Sequence, residues 1–488
     1  MKSLIDILPD RFKAELNEAE KRVLVAAQEG RAENFTETEE ITQPQNPESW
    51  GAERTIRAGL LVWLCTDKQA VELVHAKGVQ ITGAKISGWL NFIFSTLPHP
   101  LVLSGCSLEG IDLMHAEACY LNFGYSIIKS ITADGLKTKG SVFLRNVTAH
   151  GEVRLIGANI GGMLDCTGAA FNNAHDTAFC ADVLKIKANV FLNGITAHGE
   201  VRLLGADIRG ELNCTGAIFN NGDVSAFCLE NATIKGALFM NEFKEKPKGL
   251  LDLMHARVGQ LVDDKESWPE TGKLLLDGFA YNSLPRISLL SAKDRLEWLR
   301  LQPTANHKGE SVFFSQPYEH LASVYRKMGL ESHAREILVA KHEDLRKHGD
   351  LNWPFKLWNR ILGITIGHGY KTYNAIGLLL AALTVSWAVY TFAGCQGIMV
   401  PAKERIYLVE HYNSKKNIPL QYPTFSAFWY SLDVLVPLVD LHQDSYWLPD
   451  SNAPGGCAVR VFFWLEILWG WFFSTLAVAS LTGLVRKD

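Results

Sequence analysis

Apolar and polar positions alternate in distinct ways along the chain. From about Gly78 to about Phe279 they form short apolar triplets separated by Gly, Asn and Asp, as in VRLIGANIGGMLDC from Val153. No helical stripe there exceeds two turns, so short strands and tight turns are expected. The region also returns on itself. Val142–Asn189 aligns without gaps on Val190–Ala237, a shift of 48, with 28 of 48 positions identical. TAHGEVRL, CTGA and AFC recur in both copies, GAKISGWLNF from Gly83 is a related phrase, and DLMHA occurs at 112–116 and 252–256. A coil of this kind cannot bury its apolar side alone. Stacking buries it, and the backbone pairs with the coils above and below. The expected fold class is mixed: a right-handed parallel β-helix over 78–290, flanked by helical segments.

Residues 1–77 read as an N-terminal helical cap, with a capping-type Thr36-x-x-Glu39 and a charged amphipathic stretch, GAERTIRAGLLVWLCTD, from Gly51. Helical spacing returns at SAKDRLEWLRLQ from Ser291 and opens an adaptor over 291–372. Within it Leu321, Val324 and Tyr325 share one face, Gly329 breaks the run, and Ala334, Ile337, Leu338 and Ala340 resume it. WPFKLWNRILGITIGHGY from Trp353 mixes aromatics with Lys356 and Arg360, the pattern of a helix lying on a membrane surface.

The last segment, 373–488, differs from all of this. Ala375–Gly394 is 20 residues without a charge, and about 20 residues of helix cover the ~30 Å of a bilayer core. Val461–Val485 is a second span with one charge, Glu466. Lys356, Arg360 and Lys371 precede the first span and Arg486 and Lys487 follow the second, which puts both ends in the cytosol. The bias is modest, because the outer loop 395–460 carries Lys403, Arg405, Lys415, Lys416 and Arg460. Asp6, Asp10 and Arg11 interrupt the N-terminal apolar stretch, so no secretory signal is expected. The expected location is a bacterial inner membrane, multi-pass, with N- and C-termini cytoplasmic and lipid as a partner. Cys395 and Cys457 then share the outer level, where a disulfide between them would close the loop.

Composition narrows the function. Forty-eight basic against 52 acidic residues give a net charge of −4, with no broad basic face for nucleic acid. Nine cysteines in 488 residues do not make a disulfide scaffold. There is no P-loop, dinucleotide fingerprint, G-x-S-x-G elbow or Cys-x-x-Cys. His150-Gly-Glu152 recurs as His198-Gly-Glu200. If 48 residues make two coils, the two copies lie about 9–10 Å apart, too far to share a metal. They are expected as surface turns. Cys166 with Cys214, and Cys180 with Cys228, are expected as stacked core thiols, and His115 and His255 as turn or core residues of equivalent coils. No catalytic, cofactor or metal site is expected.

The G-A-x-I-x-G-x-L phrases at 83, 157 and 205 resemble the pentapeptide-repeat class of quadrilateral β-helices. Residues 317–347 resemble a single tetratricopeptide-type helical hairpin. Between the spans, PTFSAFWYSLDVLVPLVDLHQDSYWLP (423–449) has an apolar run too short to cross, stopped at Pro437. The order span, aromatic half-helix, polar turn, span resembles the two-helix pore-loop module of potassium-type channels, over roughly 110 residues. Residues 424–441 take the place of its pore helix and filter, and Gly470 falls where its inner helix bends. That resemblance implies a homo-oligomer, a tetramer, around an ion-conducting pore. The family's filter, whose glycines let backbone carbonyls replace the hydration shell, is not kept here: Val436-Pro437-Leu438-Val439-Asp440 has no glycine. Potassium selectivity is therefore not implied. Asp433, Asp440 and Glu466 are the acidic groups at membrane depth and the ion-pathway candidates; four copies of Asp440 would form a cation-favouring ring. The leading expectation is an oligomeric pore regulated by its cytosolic β-helix. The alternative is a non-conducting membrane-anchored scaffold with a protein partner on the β-helix. Some sequences of this general type are labelled membrane-associated oxidoreductases, but no flavin, nicotinamide, haem or iron–sulfur pattern supports that here.

Overall fold

The computed structural model describes residues 2–36, 40–285, 291–305, 308–371, 373–407, 418–437 and 439–481. Glu39, Lys415, Lys416, Leu438 and the positions after 481, including Arg486 and Lys487, lie outside the described residues. The chain divides into two compact units, Met1–Ile337 and Leu338–Asp488.

The first unit is built on a parallel β-solenoid of about nine turns among the described residues. Its strands are mostly two residues long and pair only in parallel with the coils before and after. One register column reads Val79, Leu101, Leu121, Val142, Leu164, Val190, Leu212, Leu238, Leu261. Every member of that column is buried. An inward apolar column is what makes the coils stack, because each side chain finds its neighbours one coil away at the ~4.8 Å strand spacing. Within the repeat, coils of 22 and 26 residues alternate, as in Val142 to Leu164 to Val190. The 48-residue period is therefore two coils. The longer coil carries its extra residues in the strands Ala170–Cys180 and Ile218–Cys228.

The turns explain the recurring DLMHA phrase. His115 and His255 are exposed corner residues with φ of 53° and 56°, where Gly135, Gly157 and Gly205 serve other coils. His115 stacks on Phe94 at 5.1 Å between ring centroids, a contact that offsets part of the left-handed strain. His150 and His198 are also exposed. Cys166 and Cys214 are fully buried two coils apart, in a ladder with Leu192 between them.

Both ends of the solenoid are covered. Asn17 and Glu20 form the capping box of the helix Glu18–Glu29, and buried Glu20 accepts from Arg57 N, Nε and Nη2 at 3.0, 2.8 and 2.7 Å. Strand Glu33–Asn34 pairs with Val79–Thr82 and strand Thr55–Arg57 pairs with Lys85–Asn91, so this segment contributes ladder strands as well as helix. The stretch from Gly51 is thus not one amphipathic helix. Thr55 and Ile56 enter the ladder, and Ala58–Thr66 forms a short helix with Leu60, Leu61 and Leu64 fully buried. At the other end the helix Ala292–Leu299, capped by Ser291 and Asp294, brings Arg295 against Asp263 in a buried bidentate pair of 2.7 and 2.6 Å. The helix Gln316–Lys327 then finishes the ladder. Gln316 Oε1 accepts from Gly278 N at 3.0 Å, and His320 Nε2 lies 2.9 Å from Tyr281 N. Spaced four apart on one helix face, these side chains stand in for a missing coil. Leu321, Val324, Tyr325, Ala334 and Ile337 are buried as their spacing predicts.

The second unit holds the helix Trp353–Ile366, with Trp353, Phe355 and Ile364 exposed, and two long helices, Tyr373–Cys395 and Gly456–Leu481. Both are long and apolar enough to cross a membrane. Their outward side chains are apolar and uncovered: Leu380, Val385 and Phe392 on the first, Trp464, Leu468 and Trp471 on the second. Between them in sequence come a two-strand antiparallel ribbon, Met399–Pro401 with Trp447–Pro449, and the short helix Ala427–Leu435.

Candidate functional site

The three acidic candidates lie around that short helix, and each has a different fate. It begins at an aromatic cluster. Tyr430 meets Tyr390 edge-on at 4.6 Å, and Phe425 packs on Tyr430 and Trp447 at 5.6 and 5.5 Å. Val434, Val459, Phe463, Ile398 and Met399 complete the same core. Aromatic rings with edge-to-face contacts fix a helix's position tightly, because few other arrangements satisfy the quadrupoles.

Glu466 is buried between the two long helices. Ser386 Oγ and Tyr390 Oη, one helical turn apart, donate to its two carboxylate oxygens, the tyrosine at 2.6 Å. A carboxyl group here has both oxygens satisfied by the chain itself, the condition under which burial of such a group is tolerated. An apolar groove of about 400 Å³, lined by Leu378, Val385, Phe462 and Trp469, opens beside it.

Asp433 is also buried. Its Oδ1 accepts from Leu441 N at 2.6 Å and its Oδ2 from Asp444 N at 3.1 Å. The carboxylate therefore holds the return of the chain after the short helix, and both oxygens are used in doing so. Asp440 is exposed, accepts from His442 N at 3.0 Å, and lies 2.6 Å from His442 Nδ1. Of the three, it alone faces outward.

The short helix ends at Leu435, before Pro437. Its last carbonyl sits against Gly470: a Cβ built there would lie 2.2 Å from Leu435 O. Gly470 thus permits close approach of two backbones. Cys395 and Cys457 are exposed, free thiols.

Three groups were not singled out in the sequence. Ser386 and Tyr390 could have been found as a polar pair four apart inside an apolar span, the spacing that puts both on one face. His442 carried no signal beyond its nearness to Asp440. In the first unit, burial pushes the thiols of Cys65, on the capping helix, and Cys106, in the solenoid, up to about 12, which fits inert core cysteines.

No protein-family model, curated protein or solved structure matches this chain.

Proposed function

We propose that the protein is a membrane-anchored β-solenoid scaffold. The two apolar helices hold it in a bilayer, and the solenoid presents a binding platform on the cytosolic side. The observation that carries this reading is the state of the buried carboxylates. Asp433 and Glu466 are each satisfied by donors of the same chain, while the outer helix faces are apolar and bare. A helical pair with internal polar contacts and a lipid-compatible exterior is what an anchor needs. The solenoid is read as right-handed, the hand that parallel β-crossovers adopt in L-polypeptides, and as a relative of the pentapeptide-repeat class. The platform binds a protein partner through its exposed faces.

A second reading rests on Asp440. The short helix Ala427–Leu435 packs on both long helices and is followed by an exposed carboxylate. In a homo-oligomer, four such helices entering the membrane as re-entrant segments would ring a cation pathway with Asp440. Ion flux into proteoliposomes decides between the two. The scaffold reading expects no flux above protein-free vesicles, with the protein resisting alkaline extraction. Cation currents that fall in Asp440→Asn would overturn it in favour of the pore.

A further inference from the structure

The solenoid carries an internal experiment in charge. Arg202 lies one coil after Cys180 in register, and its Nη2 is 2.5 Å from Asp182 Oδ2 and 3.8 Å from Cys180 Sγ. A guanidinium cation thus occupies the space between a sulfur and a carboxylate. Two coils earlier Arg154 pairs with Asp134 at 2.5 Å, again from one coil to the next. Two coils later the sulfur and the acid recur as Cys228 and Glu230; Arg202 faces Cys228 from the coil before, but the register position on the coil after, where an arginine follows Cys180, is Asp252. The cation has been replaced by an anion.

The result is a Cys–Glu–Asp cluster whose ligand atoms all lie within 4.8 Å of one another. Cys228 is 6% and Asp252 8% exposed, so this is not a solvated patch of surface acids. Glu230 is half-buried at its rim. Asp252 Oδ1 accepts from Met254 N at 2.9 Å and Glu230 Oε1 from Asn231 Nδ2 at 3.2 Å. Among the described residues neither carboxylate has a basic partner in an ion pair. Glu200 adds a further negative charge to the neighbourhood, and His255 a weak opposing influence on Asp252. Burying Asp252 and half-burying Glu230 beside a thiol, while the neighbouring Arg202 is engaged by Asp182, leaves their charge uncompensated, and the preceding repeat shows the charge that the space accepts.

We propose that Cys228, Glu230 and Asp252 bind a divalent, borderline-soft cation, with zinc the best match, where the preceding repeat holds the Arg202 guanidinium. One thiolate and two carboxylates suit zinc, with Zn–S of about 2.3 Å and Zn–O of about 2.0–2.2 Å. Calcium and magnesium are disfavoured, because they take oxygen ligands in larger number. On binding, the thiol releases its proton to solvent as the metal–sulfur bond forms, and water completes the fourth position. The metal would tie the coil holding Cys228 to the next, the job done by Arg154 and Arg202 earlier in the solenoid.

The test uses the full chain in detergent, stripped with a chelator and titrated with Co²⁺ as a spectroscopic stand-in for zinc. One equivalent should produce a thiolate-to-cobalt charge-transfer band and d–d bands of tetrahedral intensity, both displaced by Zn²⁺. Cys228→Ser should lose the charge-transfer band. Glu230→Gln should weaken binding by more than the roughly 10–100-fold that loss of an outer-shell partner costs. Asp252→Arg restores the arginine of the earlier repeats, so it should abolish binding while folding normally. The exposed Cys395 and Cys457 are replaced by serine in wild type and variants alike, so that they add no thiolate band of their own. The proposal is overturned if wild type takes up no more Co²⁺ than Asp252→Arg, or if Cys228→Ser keeps the charge-transfer band.

Discussion

A Cβ built on Gly470 would lie 2.2 Å from the Leu435 carbonyl oxygen, whereas one on Gly394 would meet only the edge of the Phe425 ring at 2.9 Å. Backbone cannot step aside as a ring can. Gly470→Ala should therefore destabilise the second unit by about 1–3 kcal/mol, the usual cost of overpacking, and Gly394→Ala by less. Thermal melts in detergent compare the two, and equal melting temperatures for Gly470→Ala and wild type would remove the close-approach argument. At Glu466 the relevant quantity is hydrogen bonding. Tyr390→Phe removes the donor to Oε2 and leaves a buried oxygen bare, at a cost of about 1–3 kcal/mol. Pairing it with Glu466→Gln in a double-mutant cycle should give clear non-additivity. The sequence marked Glu466 as an ionisable residue in an apolar span. It could not mark its partners, which lie 76 and 80 residues away.

Among the elements, the last turn of the solenoid depends on two helices. Arg295 and Asp263 are both buried, so Arg295→Ala leaves an unpaired carboxylate beside Trp268 Nε1 and should cost about 3–5 kcal/mol. A change below ~1 kcal/mol in chemical denaturation would mean that the pair does not close the end of the ladder. His320 makes the same end sensitive to pH. Burial, with Lys327 adding to it, holds its pKa below the ordinary value of 6.5. The unfolded chain therefore binds a proton more readily than the folded one. Stability should be full above about 6.5 and decline as the pH falls below it. His320→Gln should flatten that decline; an unchanged pH profile in the variant would assign the sensitivity elsewhere. The helical spacing of 316–327 was legible in the sequence. That Gln316 and His320 complete a β-ladder was not, because it requires knowing which coil comes last.

For the whole molecule, the testable quantity is the side of the membrane on which each part lies. Of the nine cysteines, Cys395 and Cys457 are exposed, Cys119 is half-buried and the others are buried. With the proposed orientation, an impermeant maleimide added to intact cells should label the chain at Cys395 and Cys457 after reduction. The double serine variant should lose that label. Labelling that appears only after lysis would invert the topology. Less labelling without prior reduction would show that the two thiols, free in this structure, pair in the cell.

The 48-residue repeat, the strand-and-turn pattern and the two long apolar segments follow from the chain's own periodicity. Each depends on local spacing, which a sequence displays directly. Three things were decided only by the tertiary structure. Two coils of unequal length make one repeat, because the ladder register and not the sequence identity determines which residues face each other. Asp433 and Glu466 are turned inward and satisfied while Asp440 is exposed, because the short helix packs on both long ones. Asp252 falls in the column of Arg154 and Arg202, although the gapless repeat alignment would have placed Leu250 there. In each case a side chain's chemistry is set by neighbours a coil or a helix away, and those distances exist only once the chain has folded.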